Sequence, residues 1–328
     1  MLDFKQAHLV QDWSYDRPLL ATRFSPDGTQ LVTSAEDSQL QRWDILSGEK
    51  VILAGHESWV HALQITPDGQ TLISGGCDGR LIWWPLQAAQ PVASRTIEAH
   101  SGWIRAIDLS PDGARLASVG NDRQICLWDV HSGEQLAQWG QHDKHIYSVL
   151  FHPDGQQLLT GDLAGKIHLW NLADQQLLRS FDAVPLYEYN AGQQIDFGGV
   201  RSLALTPDGQ HLLAAGLHKG SNPLGAVHEP LVLRFNFSDA TLLKSHTCDG
   251  IPGGVLWRIV CLSDGTAMAV CGGSSGGHLF FFDAEQEKDI HRFALPSLAR
   301  DMDYHRPSER AVSVHYDQHL RVTHLRAD

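Results

Sequence analysis

One tripeptide, Pro-Asp-Gly, recurs along this chain and constrains its fold more than any other feature. Copies begin at Pro26, Pro67, Pro111, Pro153 and Pro207, with a variant at Ser263-Asp264-Gly265 and a weaker one at Arg306-Pro307-Ser308. Each copy lies between two short runs of apolar and β-branched residues, a pattern typical of β-hairpins. Repeats with spacings of this order indicate propellers, solenoids or arrays. Seven phased copies therefore predict seven β-rich units.

Two further markers keep the phase of this repeat. A Trp closes four of the units, at Trp43, Trp84, Trp128 and Trp170, and Phe235, Phe282 and Thr323 hold the same place in the other three. A His lies 18 residues before a Ser or Thr in three units, in the pairs His56 and Ser74, His100 and Ser118, and His142 and Thr160. Because all three markers keep the same phase, we interpret the repeat as structural and not as a chance pattern.

With these residues the chain resembles the WD40 repeat family, whose units of about 40 to 45 residues each form a four-stranded propeller blade. The resemblance implies a buried hydrogen-bonded tetrad of His, Ser or Thr, Asp and Trp in each blade. Carried over by position, the tetrads are His56, Ser74, Asp78 and Trp84 in unit two, and His100, Ser118, Asp122 and Trp128 in unit three.

Other units depart from the family tetrad. Unit one has Tyr15 at the His position, before Thr33, Asp37 and Trp43, and unit four has Ala164 where the Asp is expected. Unit seven keeps Ser313 and Asp317, whereas units five and six have lost the tetrad. We therefore expect less rigid blades in units five and six.

The implied fold class is all-β, a seven-bladed β-propeller of four-stranded antiparallel blades in one domain that covers residues 1–328. The third strand of the last unit, around His319 to Leu325, ends just before the chain does. The run Phe4 to Val10 precedes the first strand of unit one and is β-compatible. We expect this N-terminal strand to complete the last blade, which would remove an open sheet edge.

Three insertions interrupt the period: Asp182 to Gly199, Leu217 to Pro230 and Ser245 to Gly254. In the propeller architecture all three lie at the top, opposite the Pro-Asp-Gly turns, so we expect them to cluster at one sector of one face. Surface loops also drift in length at little cost in free energy, which is the alternative explanation. The candidate partner-binding residues in the insertions are Tyr187, Tyr189 and His218.

A second set of candidates follows from the family resemblance, in which residues three and five past the tetrad His point toward the top surface. These are Trp59, His61, Trp103, Arg105, His145, Tyr147, Arg201, Trp257 and Arg300. Aromatic and Arg side chains dominate binding hot spots, and three arginines on one rim favour an acidic peptide or a carboxylate. The alternative is that some of these side chains fill the central channel.

Composition excludes several classes of protein. Lys and Arg number 25 against 38 Asp and Glu, for a formal charge of −13, whereas nucleic-acid and polybasic membrane binders need the opposite balance. Five scattered cysteines do not form a disulfide framework. No window has the roughly 18 apolar residues of a membrane span, and no export signal is evident at the N-terminus. We expect a cytoplasmic protein, monomeric by itself, without nucleic-acid or membrane partners.

Catalytic motifs are weak. Gly273 to Gly277 matches GxSxG, but that motif needs a strand-to-helix elbow and here links two β-runs. Neither His315, His319 and His324 nor His142 and His145 have zinc-site spacing. Cys261 and Cys271 fall on neighbouring runs and are interpreted as packed thiols. No phosphate-binding or dinucleotide motif occurs, so we expect no metal, no cofactor and no catalytic residues.

Two function classes stay open. The first is a non-catalytic protein-interaction scaffold that binds a peptide or partner protein on the top face of the propeller. The alternative is a small-ligand binder or an enzyme with a site at the mouth of the central channel. One fold hosts many functions, so the family resemblance does not choose the partner.

Overall fold

The computed structural model describes residues 3–222 and 227–326. They form seven four-stranded antiparallel sheets and one two-stranded sheet, connected by turns and by three short 3-10 helices at Phe4–Gln6, Val184–Leu186 and Arg306–Ser308. The predicted fold class is confirmed: these are the four-stranded blades of a seven-bladed β-propeller, and the N-terminal strand completes the last blade. None of the helices in the described residues is long and apolar enough to cross a membrane.

By its internal contacts the chain divides into two compact units, Met1–Gln141 with Arg300–Asp328, and His142–Ala299. The first unit begins with β1 (His8–Ser14) and continues with three blades. Their strands are β2 (Leu19–Phe24), β3 (Gln30–Ala35), β4 (Leu40–Asp44) and β5 (Lys50–Leu53); β6 (Val60–Ile65), β7 (Thr71–Gly76), β8 (Arg80–Pro85) and β9 (Arg95–Glu98); and β10 (Ile104–Leu109), β11 (Arg115–Gly120), β12 (Ile125–Asp129) and β13 (Gln135–Trp139).

The second unit contains blades four, five and six and an inserted hairpin. Blade four consists of β14 (Ile146–Phe151), β15 (Gln157–Asp162), β16 (Lys166–Asn171) and β17 (Leu177–Asp182), and the hairpin of β18 (Tyr187–Asn190) and β19 (Ile195–Gly198). Blade five has β20 (Ser202–Leu205), β21 (His211–Asn222), β22 (Val227–Asn236) and β23 (Leu242–Thr247), and blade six β24 (Val255–Cys261), β25 (Ala267–Gly273), β26 (Gly276–Phe282) and β27 (His291–Leu295).

Blade seven returns to the first unit with β28 (Ala299–His305), β29 (Arg310–His315) and β30 (His319–His324), and β1 pairs antiparallel with β30. The predicted closing strand Phe4 to Val10 is wrong in its bounds, because Phe4–Gln6 is a 3-10 turn and the strand runs from His8 to Ser14. Val10 and Trp13 pack against the apolar core between blades seven and one. Burial of those two side chains explains why the strand lies further along the chain than predicted.

The Pro-Asp-Gly repeat forms the turn between the first and second strands of each blade that carries it. In blade one, the Asp27 carboxylate accepts hydrogen bonds from the Ser25 hydroxyl at 2.6 Å and the Thr29 N–H at 3.0 Å. Gly28 has a φ of 69°, a left-handed conformation that glycine adopts without steric cost. This local chemistry sets one end of each blade, the Asp-Gly end; the other end of the strands is called the upper end below.

The apolar core is divided among pairs of successive blades rather than shared by all of them. In the second unit, for example, Phe181 of blade four and Phe235 of blade five belong to one buried cluster and meet edge to face, with 5.7 Å between ring centroids. Successive blades within each unit therefore bury apolar faces against one another, as expected of a repeat protein.

Hydrogen bonds also link successive blades near the Asp-Gly end. Side chains of one blade donate to the main-chain carbonyl two residues after the closing Trp or Phe of the next blade. The pairs are Arg42 with Leu86, Trp83 with Val130 at 3.0 Å, and Arg179 with Phe237 at 2.6 Å. We call this contact the interblade link. The link provides a hydrogen-bond donor for the carbonyl at the point where the chain leaves the sheet. Buried backbone groups need such a partner.

Candidate partner-binding surfaces

The tetrad residues of blades two and three lie within hydrogen-bonding distance of one another. In blade two, His56 Nδ1 is 2.9 Å from an Asp78 carboxylate oxygen and His56 Nε2 is 2.8 Å from the Ser74 hydroxyl. Trp84 Nε1 donates to the same hydroxyl at 2.9 Å. A neutral His with its proton on Nδ1 satisfies all of these groups, because the Ser hydroxyl then accepts from Trp and donates to His.

Blade three repeats this arrangement. His100 is 2.9 Å from Asp122 and 2.7 Å from Ser118, to which Trp128 donates at 2.9 Å. In both blades burial is the largest single influence and raises the pKa of the Asp, but the hydrogen bonds from the His and from backbone N–H groups, together with the charge interaction with the His, outweigh it and lower the pKa below the ordinary value. The tetrads are therefore fully hydrogen-bonded networks within their blades.

Blade four has a complete tetrad, although the sequence has Ala164 at the position where the Asp was expected. Asp162, two residues earlier, is 2.9 Å from His142 Nδ1, and Thr160 is 2.8 Å from both His142 Nε2 and Trp170 Nε1. Residues two apart in a strand share a face, so Asp162 at the end of β15 lies on the same side as Thr160. Its other oxygen accepts from the N–H of Lys166 at 2.8 Å.

Blades one and seven use other partners. The Tyr15 hydroxyl donates to Asp37 at 2.7 Å, and Trp43 Nε1 donates to Thr33, whose own hydroxyl donates to Gln41. Burial, together with Asp37, raises the pKa of Tyr15 to about 12. In blade seven, Ser313 bonds to His315 at 2.8 Å and Asp317 pairs with Arg321 at 2.8 Å. These two replacements keep the strand ends joined without the family His.

Candidate residues of the first unit lie at the upper end, at or just before the start of each first strand. The indoles of Trp59 and Trp103 are 43% and 42% exposed. Trp59 contacts His61 edge to face, and the Arg105 guanidinium stacks on Trp103 at 4.7 Å from the ring centroid. Two large apolar side chains thus lie in solvent at the same position of successive blades.

Arg300 is held by a residue that the sequence did not single out. Its Nη1 is 2.7 Å from Glu36 Oε1, and its guanidinium stacks on Tyr316 at 4.8 Å. The main-chain oxygen of Glu36 also accepts a hydrogen bond from Trp59 Nε1 at 3.0 Å. Glu36 therefore joins Arg300 to Trp59 and offsets the charge of Arg300, which no spacing rule could reveal.

In the second unit the candidates form an aromatic and cationic stack. The Arg201 guanidinium is 4.4 Å from the ring centroid of Tyr147 and 5.4 Å from that of Trp257. Three successive blades supply these side chains. His145, the remaining candidate at the strand ends of this unit, is exposed and lies two residues before Tyr147. Contacts of this kind fix the orientation of an Arg that would otherwise have several rotamers.

The three insertions are built onto one another at the upper end of the second unit. The first forms the β18–β19 hairpin, and the second extends β21 and β22 beyond the blade; residues 223–226 of that insertion lie outside the described residues. Asn190 Nδ2 donates to the Ser221 carbonyl at 3.1 Å, and the His228 N–H donates to the Pro252 carbonyl of the third insertion at 3.1 Å. The expected clustering of the insertions is thus observed within this unit.

An apolar contact joins the insertions to the stack. Phe197 of the hairpin, Leu217 of the extended strand and Val255 of blade six form a small buried cluster, and Trp257 packs against it. The hairpin is also anchored by Asp196, which accepts hydrogen bonds from Lys144 and from Tyr187, each at 2.6 Å. This anchor could not be predicted from the sequence, because Lys144 is 52 residues from Asp196.

The inserted candidate residues differ in accessibility. Tyr189 is 54% exposed, whereas the Tyr187 hydroxyl is taken up by Asp196, and that hydrogen bond together with burial raises its pKa to about 12. His218 is half-buried, with Nε2 3.4 Å from Glu229. Only Tyr189 of the three therefore presents a large part of its side chain to solvent.

The alternative catalytic motifs take structural positions. Ser274 and Ser275 form the turn between β25 and β26, and Ser275 exchanges hydrogen bonds with Gly253 at 3.0 and 2.9 Å. Within the described parts of the chain, no group of three or more His, Cys, Asp or Glu side chains is placed to hold a metal ion. The five cysteines are unbridged thiols, and burial raises the pKa of Cys271 to about 12.

Comparison with known proteins agrees with this geometry. The sequence model of the family described as WD40, "WD domain, G-beta repeat", matches residues 10–44, 49–85, 92–129 and 133–171. The chain is 28% identical over 194 residues to apoptotic protease-activating factor 1 of Rattus norvegicus, which is 59% of this chain and 15% of that protein.

Shorter similarities exist to two other proteins. Nuclear distribution protein nudF of Emericella nidulans is 31% identical over 83 residues, 24% of this chain and 19% of that one. Guanine nucleotide-binding protein subunit beta-5b of Danio rerio is 39% identical over 62 residues, 19% of this chain and 16% of that one. The chain thus spans less than a fifth of the length of each of these relatives. The chain therefore contains four segments that match the WD40 repeat, and its described residues form the seven four-stranded blades of a β-propeller.

Proposed function

We propose that the chain is a non-catalytic protein-interaction scaffold that binds a peptide or partner protein at the upper ends of its blades. The observation that carries the proposal is the pair of indoles, Trp59 and Trp103, each more than two-fifths exposed at the same position of successive blades. Trp is among the residues most enriched at binding hot spots.

The second unit supports the same proposal independently. Arg201 is oriented by Tyr147 and Trp257, and the three insertions beside it add Tyr189 as a further exposed aromatic side chain. Long, structured insertions on a repeat scaffold are where specificity usually resides. We infer that these insertions select the partner. One relative is named a subunit, which is in keeping with a protein that acts within an assembly.

An acidic partner is part of the proposal, because Arg105 and Arg201 each stack on aromatic side chains at these strand ends. Guanidinium groups bind carboxylates through paired, charge-assisted hydrogen bonds. Arg300 contributes less, since Glu36 already pairs with it.

The experiment is affinity capture from the native source, followed by calorimetry with the purified partner. Trp103→Ala and Trp257→Ala should each weaken binding by about 2 kcal/mol or more, as hot-spot truncations do. Leu136→Ala and Leu178→Ala are matched controls, because these side chains are 48% and 49% exposed on the outer strands β13 and β17.

Melting temperatures of Trp103→Ala, Leu136→Ala and Leu178→Ala should stay near that of the unaltered chain, because surface truncations change stability by about 0.5 kcal/mol or less. If both Trp variants bind the partner as well as the unaltered chain does, the proposed surface is wrong. If the outer-strand variants lose binding instead, the interface lies on the blade edges.

A further inference from the structure

A cavity of about 330 Å³ opens at the Asp-Gly end between blades five and six, away from the surfaces discussed above. Its wall includes the turn residues Asp208 and Asp264, Ala284 after β26, and the side chain of Arg234 from β22. Asp208 and Asp264 are exposed, whereas Arg234 is only 4% exposed. The cavity thus has a cationic floor and an acidic rim.

The floor guanidinium is poorly satisfied for a buried charge. Arg234 Nε donates to His246 Nε2 and Arg234 Nη2 donates to the Asp283 carbonyl, both at 3.4 Å. Among the residues that the structure describes, no Asp or Glu side chain is close enough to form an ion pair with Arg234. Burial lowers its pKa, yet an Arg stays protonated in proteins, and a buried charge is costly unless it is paired.

His246 cannot supply the missing negative charge. Its Nδ1 is 2.9 Å from the Gln286 carbonyl, so Nδ1 carries the proton and donates, and Nε2 is the acceptor for Arg234. The ring is fully buried and neutral in this arrangement. The guanidinium therefore has neutral acceptors only, at long distance, on the protein side.

Blade one shows what the same position looks like when it is satisfied. Arg42 precedes the closing Trp of its blade as Arg234 precedes Phe235, and Arg42 Nη1 donates to two carbonyls of blade two, those of Leu86 and Ala88, the latter at 2.7 Å. The residue equivalent to Leu86 in blade six is Ala284, which lines the cavity instead. Where Arg42 donates to two carbonyls, the one carbonyl among the described residues that accepts from Arg234 is that of Asp283, at 3.4 Å.

A cavity occurs at this place in more than one pair of blades. What distinguishes the cavity between blades five and six is the side chain of Arg234. A cavity of about 540 Å³ lies at the equivalent place between blades two and three, but there the position of Arg234 is held by Trp83. The indole of Trp83 makes the interblade link to Val130. Arg95 also lines that cavity, where it stacks on Trp83 and donates to the His131 carbonyl at 3.0 Å.

The acidic rim sets a second requirement on any ligand. The hydrogen bond from the Thr206 hydroxyl, and then that from the Gln210 N–H, lower the pKa of Asp208, so its carboxylate is charged at neutral pH. A purely anionic ligand would be repelled as it passed Asp208 and Asp264. A ligand with a cationic group next to its carboxylate would be attracted to the rim and the floor together.

We propose that the Arg234 cavity binds a carboxylate that has a cationic group beside it, either in a free amino acid or in a peptide segment with an acidic residue flanked by basic ones. The carboxylate takes two hydrogen bonds from the Arg234 guanidinium in place of the carbonyls that Arg42 uses. The adjacent ammonium or guanidinium faces Asp208 and Asp264.

The test is a titration of the full chain, labelled with ¹⁵N-arginine, in which the Nε–Hε resonance of Arg234 is identified by its loss in Arg234→Lys. The probes are acetyl-Lys-Glu-Lys-amide and free lysine. We expect a saturable shift of the Arg234 resonance and an unmoved Arg42 resonance. Arg234→Lys should weaken binding about tenfold or more, since it removes the paired hydrogen bonds to a charged group.

Two control peptides separate the floor from the rim. Acetyl-Lys-Gln-Lys-amide has no carboxylate side chain, and acetyl-Gln-Glu-Gln-amide has no cation; both should bind more weakly than acetyl-Lys-Glu-Lys-amide. Ser263→Trp, at an exposed residue of the cavity wall, should block binding without altering Arg234, and keeps the test valid if Arg234→Lys fails to fold.

Saturation by free lysine alone identifies an amino-acid site, and saturation by the peptide alone identifies a peptide site; both outcomes support the proposal. Equal binding of acetyl-Lys-Gln-Lys-amide would overturn it, because the rim would then act without Arg234. Linear, unsaturable shifts with every probe would also overturn it.

Discussion

The guanidinium of Arg300 and the carboxylate of Glu36 form an ion pair, with 2.7 Å between Nη1 and Oε1. Each side chain is about a quarter exposed, and Glu36 also accepts a hydrogen bond from Trp59 through its main chain. The pair lies in the region where we propose that a partner binds, so it controls how much positive charge that partner meets.

The first prediction follows from this pair. Glu36→Gln should strengthen the binding of an acidic partner, because it frees the charge of Arg300, and should change the free energy of unfolding by about 1 kcal/mol or less, as partly exposed pairs do. Calorimetry with the purified partner at several salt concentrations measures the effect. Glu49→Gln, at an exposed residue of the β4–β5 turn, removes the same charge at the Asp-Gly end and should leave the affinity unchanged.

The second prediction concerns the displaced acid of blade four. Asp162→Asn should lower the free energy of unfolding by about 1–3 kcal/mol, because it weakens the acceptor for His142 in a site where Asp162 is 2% exposed. Urea denaturation measures this change. Asp143→Asn, at an exposed neighbour of His142, is the control; equal midpoints for the two variants would mean that Asp162 is not the tetrad acid.

The third prediction is a pH dependence. Burial, and then the charge of Arg234, lower the pKa of His246 to about 4 from an ordinary value of 6.5. Between these values the unfolded chain binds a proton at this site and the folded chain does not. Stability should therefore fall as the pH decreases from about 6.5 toward 4. His246→Gln keeps an acceptor without titrating, so its stability should decline less steeply over that range.

The measurement is a series of denaturation curves from pH 7.5 to 4. Other groups titrate in the same range, including His168, whose pKa burial also lowers to about 4, so the comparison is between the slopes of the two proteins. Parallel curves for the unaltered chain and His246→Gln would contradict the assignment of a neutral, buried His246.

The fourth prediction tests the packing of the insertions. A Cβ on Gly220 would lie 2.1 Å from a ring carbon of Phe197, so Gly220→Ala should push the β18–β19 hairpin away from the extended strand β21. The main-chain N–H of Gly220 also donates to Glu188 at 3.1 Å. Limited proteolysis should cut the hairpin faster in this variant, and partner affinity should fall if the insertions select the partner.

Gly209→Ala is the matched control, because Gly209 is in a turn of the same blade where an added Cβ has no neighbour within 4 Å. Gly209→Ala should lower the free energy of unfolding only through backbone strain, because the φ of Gly209 is 69°, a conformation that favours glycine. Equal rates of hairpin cleavage in Gly220→Ala and Gly209→Ala would show that Phe197 does not hold the hairpin in place.

The sequence determined the blades because their signals are local. The Asp27 turn needs only Ser25, Gly28 and Thr29, and the same four-residue chemistry recurs in phase with the closing Trp. The tetrads of blades two and three could be assigned by position from the family resemblance, because the His and the Ser lie 18 residues apart in both blades. The bounds of the N-terminal strand were predicted wrongly. The packing of Trp13 against Trp43 determines these bounds, whereas the prediction relied on the β-propensity of the run that begins at Phe4.

Only the tertiary structure decided what surrounds the functional candidates. Asp162 could replace the acid expected at position 164 because two residues of one strand share a face, and Glu36 reaches Arg300 across 264 positions of the sequence. The same holds for Arg234, whose need for a partner depends on the carbonyls of the next blade. Spacing within a repeat fixes contacts inside a blade, whereas charge pairing and cavities arise between blades, where residues distant in sequence meet.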